Sequence, residues 1–451
     1  MPIPERSPRR IAVDILSRIE TKGEFAEPLL DAVLSGSALD DIHDRRLLTE
    51  IVYGSLRMRG RLDWIIGRHL RGSPASLKPD VRNILRTALY QIHFLDRIPD
   101  YAVVDEAVGL SKALDPARSK LVNGLLRNAL RHRDRMDFPE EAKDPARHLS
   151  VVHSHPLWLV RRWIGLIGFA RTEALCRANN EVPPCTFRVN RLRARRDEVI
   201  LRLRRDGFDA EACLFSPDGV FLKGGAGSLR ESEDFCRGNI QIQDEASQLV
   251  ALLVHPEPGE RILDLCAGAG GKTTHLAEIM GNQGQIIAVD TVPGRLECLR
   301  DVARRLGIGI VTTVQGDAAS APKAAFRGAF DRVLVDAPCS GLGTLRRNPE
   351  IKWRLRPGAC KRLAALQKTI LMQAALCLRA GGTLVYSTCT LMPEENEEVI
   401  GDFLAGHGMF GSTPPPATID GTLVDGEGFL RTSPVRGEMD GFFGAVLKKD
   451  R

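Results

Sequence analysis

The sequence predicts a three-domain protein: an all-α N-terminal domain and a small α+β middle domain precede a C-terminal α/β domain with a mainly parallel sheet. Its 451 residues exceed what one compact core usually holds. Helical spacing of apolar residues fills the first part of the chain, and strands alternate with helices in the last part. We place the domains at 1–140, 150–238 and 239–451.

The composition is that of an ordinary folded protein, with 43% apolar and 27% charged residues. The net charge of +6 fits a polyanionic partner without requiring one. No apolar run approaches a membrane span, and the N-terminus lacks the apolar segment of a signal peptide, so we expect a cytoplasmic protein without a membrane partner. The ten cysteines include no C-x-x-C pair, so neither a disulfide framework nor a metal site is expected.

The N-terminal domain is predicted from apolar residues that recur at three and four positions, as at Ile11, Ile15 and Ile19. Breakers at 72–74 and at Pro99 divide it into several short helices. Arginines on the polar faces could contact phosphate, although solvated helix faces explain such residues more often.

The middle domain combines predicted helices at 157–165, 170–180 and 197–205 with predicted strands at 186–190, 210–215 and 220–223. It also holds the densest basic run of the chain. We hypothesise that this run binds RNA backbone, an interpretation only slightly favoured over a solvated helix flank. Its members are Arg188, Arg191, Arg193, Arg195, Arg196, Arg202, Arg204 and Arg205.

The C-terminal domain is predicted to form a doubly wound sheet, whose ligands bind at the carboxyl ends of the strands. The predicted strands are 261–265, 285–290, 310–315, 330–335, 382–387 and 441–448. The predicted helices are 273–280, 293–306, 358–378 and 394–404.

A glycine-rich turn joins the first of these strands to its helix. Glycines let the backbone bend tightly and let a ligand approach the amides at the helix N-terminus. A phosphate-binding P-loop would need glycine where Cys266 stands, and the last glycine of a dinucleotide fingerprint would fall on Thr273. The candidate cofactor-binding residues of the turn are Cys266, Ala267, Gly268, Ala269, Gly270, Gly271 and Lys272.

Carboxylates end the next two strands. Asp290 lies about twenty residues after the glycines, where it can accept hydrogen bonds from both ribose hydroxyls, which implies an adenosine ligand. Asp317 ends the third strand, where it could accept a bond from an adenine amino group or equally serve as a helix cap.

Two cysteines stand at the ends of the fourth and fifth strands, Cys339 in Asp336-Ala-Pro-Cys-Ser-Gly and Cys389 in Tyr386-Ser-Thr-Cys-Thr. A thiolate suits addition to the electron-poor carbon 6 of a pyrimidine, which makes carbon 5 electron-rich. Asp336 could hydrogen-bond a cytosine ring as charge develops. Either cysteine alone would more often be buried packing, but the pair at neighbouring strand ends favours catalysis.

These residues resemble the NOP2/Sun-type RNA cytosine-5 methyltransferases over nearly the whole chain. Cys266–Thr273 is similar to that family's loop C-A-A-P-G-G-K-T, with Gly268 and Ala269 in place of Ala and Pro. The resemblance implies a Rossmann-like domain, S-adenosylmethionine as cofactor, and Asp290, Asp317 and Asp336 as cofactor-site carboxylates. It also implies that Cys389 is the covalent nucleophile and that Cys339, in the P-C-S-G motif, assists product release.

Three further stretches indicate the bacterial members that act on small-subunit ribosomal RNA. In the segment 345–353, which follows the P-C motif, Arg346, Arg347 and Trp353 would suit RNA backbone and base contacts. Residues 44–54 and 120–127 are similar to the RNA-binding helical domain of NusB. This NusB-like domain favours ribosomal RNA over transfer RNA.

Three alternatives remain: the same chemistry on transfer RNA, exchanged roles for the two cysteines, and a non-catalytic RNA-binding or assembly protein. DNA cytosine methyltransferases use a P-C cysteine as nucleophile, so Cys339 is a plausible rival. The presence of Cys389 together with Asp336 argues against an inert protein. We expect no DNA partner and favour a monomer.

Overall fold

The computed structural model describes residues 7–450 except 37–38, 40, 134, 136 and 224–228. The chain divides into two compact units, Met1–Glu181 with Leu345–Pro357, and Val182–Thr344 with Gly358–Arg451. The helices predicted at 157–165 and 170–180 therefore belong to the first unit. The limits proposed above for the three domains stay a prediction.

Helices and strands occupy most of the described chain. The first ten helices are α1 (Pro8–Lys22), α2 (Ala26–Leu34), α3 (Ile42–Arg57), α4 (Arg59–His69), α5 (Pro79–Phe94), α6 (Asp100–Leu114), α7 (Ser119–Arg131), α8 (Pro145–Val152), α9 (Leu157–Ile167) and α10 (Phe169–Ala178). The others are α11 (Arg196–Arg205), α12 (Glu233–Cys236), α13 (Glu245–Val254), α14 (Gly271–Ile279), α15 (Pro293–Leu306), α16 (Ile351–Arg354), α17 (Ala359–Cys377) and α18 (Glu397–Gly406). The strands are β1 (Cys185–Val189), β2 (Asp209–Ala212), β3 (Gly219–Lys223), β4 (Ile240–Ile242), β5 (Arg261–Leu265), β6 (Gln285–Asp290), β7 (Val311–Gln315), β8 (Phe330–Asp336), β9 (Leu378–Thr388), β10 (Phe410–Thr413), β11 (Leu430–Arg431) and β12 (Phe443–Lys449).

The first unit is helical, as predicted. Its α5 packs against α1, α3, α4, α6 and α7. Burial of α5 takes two arginines out of water, and both pair with Glu20: Arg82 at 2.9 Å and Arg86 at 3.1 Å. Arg86 also pairs with Asp63 at 2.7 Å. Buried guanidinium groups need such partners, so these ion pairs fix α1 and α4 against α5.

The segment Leu345–Pro357 belongs to this helical unit, although the residues before and after it in the sequence belong to the second unit. Lys352 is fully buried, and its ammonium donates to the carbonyl oxygen of Arg57 at 3.0 Å. Burial lowers the pKa of Lys352 to about 7. Trp353 donates its indole N–H to the carbonyl oxygen of Leu56 at 2.7 Å, and Arg346 is only 3% exposed. The expected RNA contact of Arg346 is therefore wrong, because its side chain is buried in the helical unit. RNA contact by Arg347 and Trp353, which are half-buried, stays a prediction.

In the second unit, four antiparallel strands form a small sheet in the order β2-β3-β1-β4. The basic run borders this sheet, but its first member does not face solvent. Arg188 is fully buried, and its guanidinium donates to both carboxylate oxygens of Glu278 at 3.0 and 2.9 Å. The predicted RNA contact is thus wrong for Arg188, because its strand position points it at α14. Arg202 pairs with Asp234 at 2.7 Å; RNA binding by the exposed members stays a prediction.

The larger sheet of this unit has the order β10-β12-β9-β8-β5-β6-β7, and β11 pairs with β12. From β9 to β7 neighbouring strands are parallel, whereas β10, β11 and β12 pair antiparallel. The predicted mainly parallel sheet is confirmed. The chain runs outward from β5 through β6 to β7 and then returns to β8 on the other side of β5. This switch point opens a crevice at the carboxyl ends of β5 and β8.

Among the described residues, no helix combines the length and the apolar character needed to cross a membrane.

Candidate active site

Two thiols meet at the carboxyl ends of β8 and β9, which are parallel neighbours with Asp336 opposite Ser387. The sulfur atoms of Cys339 and Cys389 lie 3.3 Å apart. The amide of Cys389 also points at the sulfur of Cys339, at 3.4 Å. The hydrogen bond to Cys389, together with burial, raises the pKa of Cys339 well above its ordinary value. At this separation the thiol of Cys339 can donate a hydrogen bond to the sulfur of Cys389.

A carboxylate lies beside this thiol pair. Asp336 ends β8, and one of its oxygens lies 2.6 Å from the ammonium of Lys272. The other accepts from the hydroxyl of Ser387 at 2.8 Å. Burial lowers the pKa of Lys272, but the neighbouring Asp336 outweighs it and leaves this pKa raised. Lys272 thus stays charged and fixes the carboxylate. The sequence analysis included Lys272 in the glycine turn but missed Ser387. The position of Ser387 at the end of a predicted strand, next to the strand that ends in Asp336, was the signal that could have identified it.

The glycine turn after β5 is held by Asp290 at the end of β6. One carboxylate oxygen of Asp290 accepts from the amide of Gly268 at 2.9 Å, and the other from the amide of Val292 at 2.8 Å. Backbone φ is positive at Cys266 (67°), Gly268 (58°) and Gly270 (86°). Burial raises the pKa of Cys266, so this thiol stays protonated. Cys266 therefore forms part of the turn and does not act as a nucleophile.

Gly270 is the position in this turn where a side chain is excluded. A Cβ atom there would lie 2.5 Å from Cγ of Leu299. We expect Gly270→Ala to weaken S-adenosylmethionine binding by about tenfold or more, because the turn must move to relieve both the clash and the positive φ. Isothermal titration calorimetry measures the affinity. Gly281→Ala is the matched control, since φ is also positive (63°) there but the added Cβ meets open space; equal losses in both variants would contradict the account.

A cavity of about 200 Å³ lies between the loop that follows β7, the strands β5, β6 and β7, and the helix α17. Its walls are mostly apolar, and Asp317 contributes the carboxylate at its rim. One oxygen of Asp317 accepts from the amide of Ala319 at 2.9 Å, so Asp317 caps a turn while it borders the cavity. The cavity is also lined by the polar residues Gln315, Ser320, Lys323 and Gln373. Apolar walls with a few polar groups fit an adenosyl group. Sequence reasoning missed the walls, because no motif marks them: they include Leu265, Val289, Ala318, Pro322 and Phe326.

Comparisons with known proteins decide the family. A model described as 16S rRNA methyltransferase RsmB/F matches residues 251–448. "Probable ribosomal RNA small subunit methyltransferase B" of Bacillus subtilis (strain 168) is 36% identical over 98% of this chain and 99% of the relative. The chain belongs to the RsmB/F methyltransferase family. A relative of the same description from Synechocystis sp. is 37% identical over 98% of this chain and 99% of its own length.

The RsmB/F assignment confirms the predicted family, fold class and cofactor. A NusB family model matches residues 6–131, and a model of the ferredoxin-like domain of RsmF/B-like methyltransferases matches residues 155–227. The structure described as "Crystal Structure of PH0851" superposes with a TM-score of 0.85 at 32% identity and covers 100% of both chains. NSun6 from Pyrococcus horikoshii with SFG shares the fold, with a TM-score of 0.59, 23% identity and coverage of 64% of this chain and 97% of that one. The RsmB/F methyltransferase domain uses S-adenosylmethionine.

Proposed function

We propose that this RsmB/F-family chain methylates carbon 5 of a cytosine in small-subunit ribosomal RNA through a covalent cysteine adduct. The observation that carries the chemistry is the pair of thiols 3.3 Å apart beside Asp336. Ribosomal RNA as the substrate is supported by the descriptions of the family and of its relatives. Transfer RNA is the second candidate, because the thiol pair does not distinguish the two. We place the reaction in the cytoplasm.

In the proposed reaction Cys389 adds as thiolate to carbon 6, so an S–C6 bond forms and the electrons of the 5,6 double bond move toward carbon 5. S-adenosylmethionine, when bound, would supply an electrophilic methyl group to that carbon: as the new C–C bond forms, the bond from the methyl group to the sulfonium sulfur breaks with its electrons on sulfur, which leaves S-adenosylhomocysteine. The carbon 5 proton is then lost to solvent, and its bonding electrons restore the double bond. The S–C6 bond breaks with its electrons on sulfur, which returns Cys389 as thiolate.

Asp336 is proposed to act on the cytosine ring. Lys272 and Ser387 occupy one lone pair on each carboxylate oxygen, which orients the group and leaves other lone pairs open. A carboxylate there favours the ring protonated at N3, whose carbon 6 accepts electrons more readily. Asp336 therefore stabilises the protonated cytosine ring to which Cys389 adds.

Cys339 is proposed to assist release. As a protonated thiol 3.3 Å from the sulfur of Cys389, it can donate a hydrogen bond to the sulfur that leaves carbon 6. The motif positions support this role over the exchanged one, since Cys389 stands in the stretch that resembles the T-C-S motif and Cys339 in the P-C-S-G motif, whereas the contact between the sulfur atoms is symmetric.

The cofactor is proposed to lie along the glycine turn Cys266–Lys272. Asp290 gives one lone pair of each oxygen to an amide and keeps others for the two ribose hydroxyls. Asp317 would accept from the adenine amino group at the rim of the cavity.

RNA that carries fluorine on carbon 5 of its cytosines tests the covalent route, because fluorine cannot leave as a proton does. Wild type and Cys298→Ser, which removes an exposed thiol, should form RNA adducts that survive denaturation, and only when S-adenosylmethionine is present. Gel analysis of radiolabelled RNA detects them. Absence of any adduct with the fluorinated RNA in both proteins would sink the proposal.

A further inference from the structure

Both neighbours of Cys339 are held by buried side chains. Gln367 donates its amide N–H to the carbonyl oxygen of Pro338 at 3.0 Å and to Glu395 at 3.0 Å. The same Glu395 oxygen accepts from the amide of Ser340 at 2.8 Å. The peptide units on either side of Cys339 are thus fixed by one pair of side chains.

The next residue, Asn396, holds the neighbours of Cys389 in the same way. Its side-chain oxygen accepts from the hydroxyl of Thr388 at 2.6 Å, and its amide N–H donates to the carbonyl oxygen of Thr390 at 3.0 Å. The hydroxyls of Ser340 and Thr390 lie 2.8 Å apart and link the two loops. Adjacent residues therefore set the positions of both thiols.

Glu395 occupies this place at an energetic cost. Its side chain is fully buried, and among the described residues no cation forms an ion pair with it. A carboxylate removed from water is costly unless strong hydrogen bonds compensate. The hydroxyl of Tyr386 anchors the Glu395 backbone by donating to its carbonyl oxygen at 2.7 Å. A costly, rigidly held acceptor is typical of a group that orients a catalytic loop.

We propose that Glu395 is a positioning residue for Cys339, which it keeps at the distance where the thiol can donate to the sulfur of Cys389. This inference rests on the proposed function, in which Cys339 assists release of the methylated RNA. Loss of Glu395 is then expected to slow release more than it slows adduct formation.

The ratio of denaturation-resistant adduct to released methylated RNA tests this. A variant that is only less stable contains less active enzyme, which lowers both quantities and leaves their ratio unchanged. Glu395→Ala is expected to raise the ratio by about fivefold or more, and Gln367→Ala to raise it in the same direction. Glu395→Gln should stay within about twofold of wild type, because its amide oxygen can still accept from Ser340. Asn396→Ala and the exposed Glu398→Ala are controls that should not raise it.

Cys339→Ser is measured in parallel with S-adenosylmethionine and small-subunit ribosomal RNA. If Cys339→Ser raises the ratio while Glu395→Ala and Gln367→Ala leave it unchanged, the role of Glu395 alone is overturned. If Glu395→Gln raises the ratio as much as Glu395→Ala does, the hydrogen bond accepted from Ser340 does not explain the effect, and the positioning role is overturned as well. If no variant and no wild type forms an adduct, the proposed function itself fails.

Discussion

Cys389→Ser is expected to lower methyl transfer to RNA by about 10³-fold or more and to abolish the covalent adduct. A serine hydroxyl is far harder to ionise than a thiol, so it cannot add to carbon 6 at neutral pH. Transfer of labelled methyl groups and the gel assay for adducts measure the two effects. Because the substitution changes one atom of a half-buried side chain, the melting temperature should stay close to that of wild type.

Cys339→Ser gives the opposite pattern in the same assay. The adduct should form and accumulate, because Cys389 remains while the thiol 3.3 Å from its sulfur is replaced by a hydroxyl, which is a far weaker acid and is held further away by the shorter C–O bond. If instead Cys339→Ser abolishes the adduct and Cys389→Ser accumulates it, the two roles are exchanged.

Arg188→Ala is expected to lower the free energy of unfolding by about 3–5 kcal/mol. The substitution leaves the fully buried carboxylate of Glu278 without its cation and opens a cavity between β1 and α14. It also removes the donor to the carbonyl oxygen of Gly271, which lies 3.1 Å from the guanidinium. Urea unfolding followed by circular dichroism measures the loss.

Two variants make this prediction specific. Arg205→Ala removes an exposed arginine of the same basic run and should change stability by less than about 0.5 kcal/mol. Arg188→Met combined with Glu278→Leu should recover much of the loss, because a buried ion pair can be replaced by packed apolar side chains. Equal effects of Arg188→Ala and Arg205→Ala would show that Arg188 is not the buried cation described here.

The parallel core could be predicted because its strands are apolar runs bounded by turns. Arg261–Leu265 and Gln285–Asp290 have the predicted bounds. Three antiparallel strands were missed: Ile240–Ile242 and Leu430–Arg431 have only three and two residues, and Phe410–Thr413 carries mostly small ones. The helix predicted at 394–404 begins at Glu397, because Pro393 starts a short 3₁₀ turn before it.

The meeting of Cys339 and Cys389 also followed from the sequence, since the ends of adjacent parallel strands share one edge of a sheet. What the sequence could not reveal depends on side chains far apart in the chain. In the sequence, Arg188 is one of several arginines in a basic run; only the structure shows that β1 directs its side chain toward Glu278. In the sequence, the segment 345–357 is indistinguishable from a loop of the methyltransferase domain. The structure shows instead that Lys352 and Trp353 pack among the helices of the first unit. Such burial is a property of tertiary packing and leaves no local pattern.

The most direct test of the central claim is the identity of the methylated nucleoside. Wild-type protein is incubated with isotopically labelled S-adenosylmethionine and either unmodified small-subunit ribosomal RNA or transfer RNA, and the RNA is digested to nucleosides for mass spectrometry. The account predicts labelled 5-methylcytidine from the ribosomal RNA and little or none from the transfer RNA. Label on another nucleoside, or on another atom of cytidine, would contradict it.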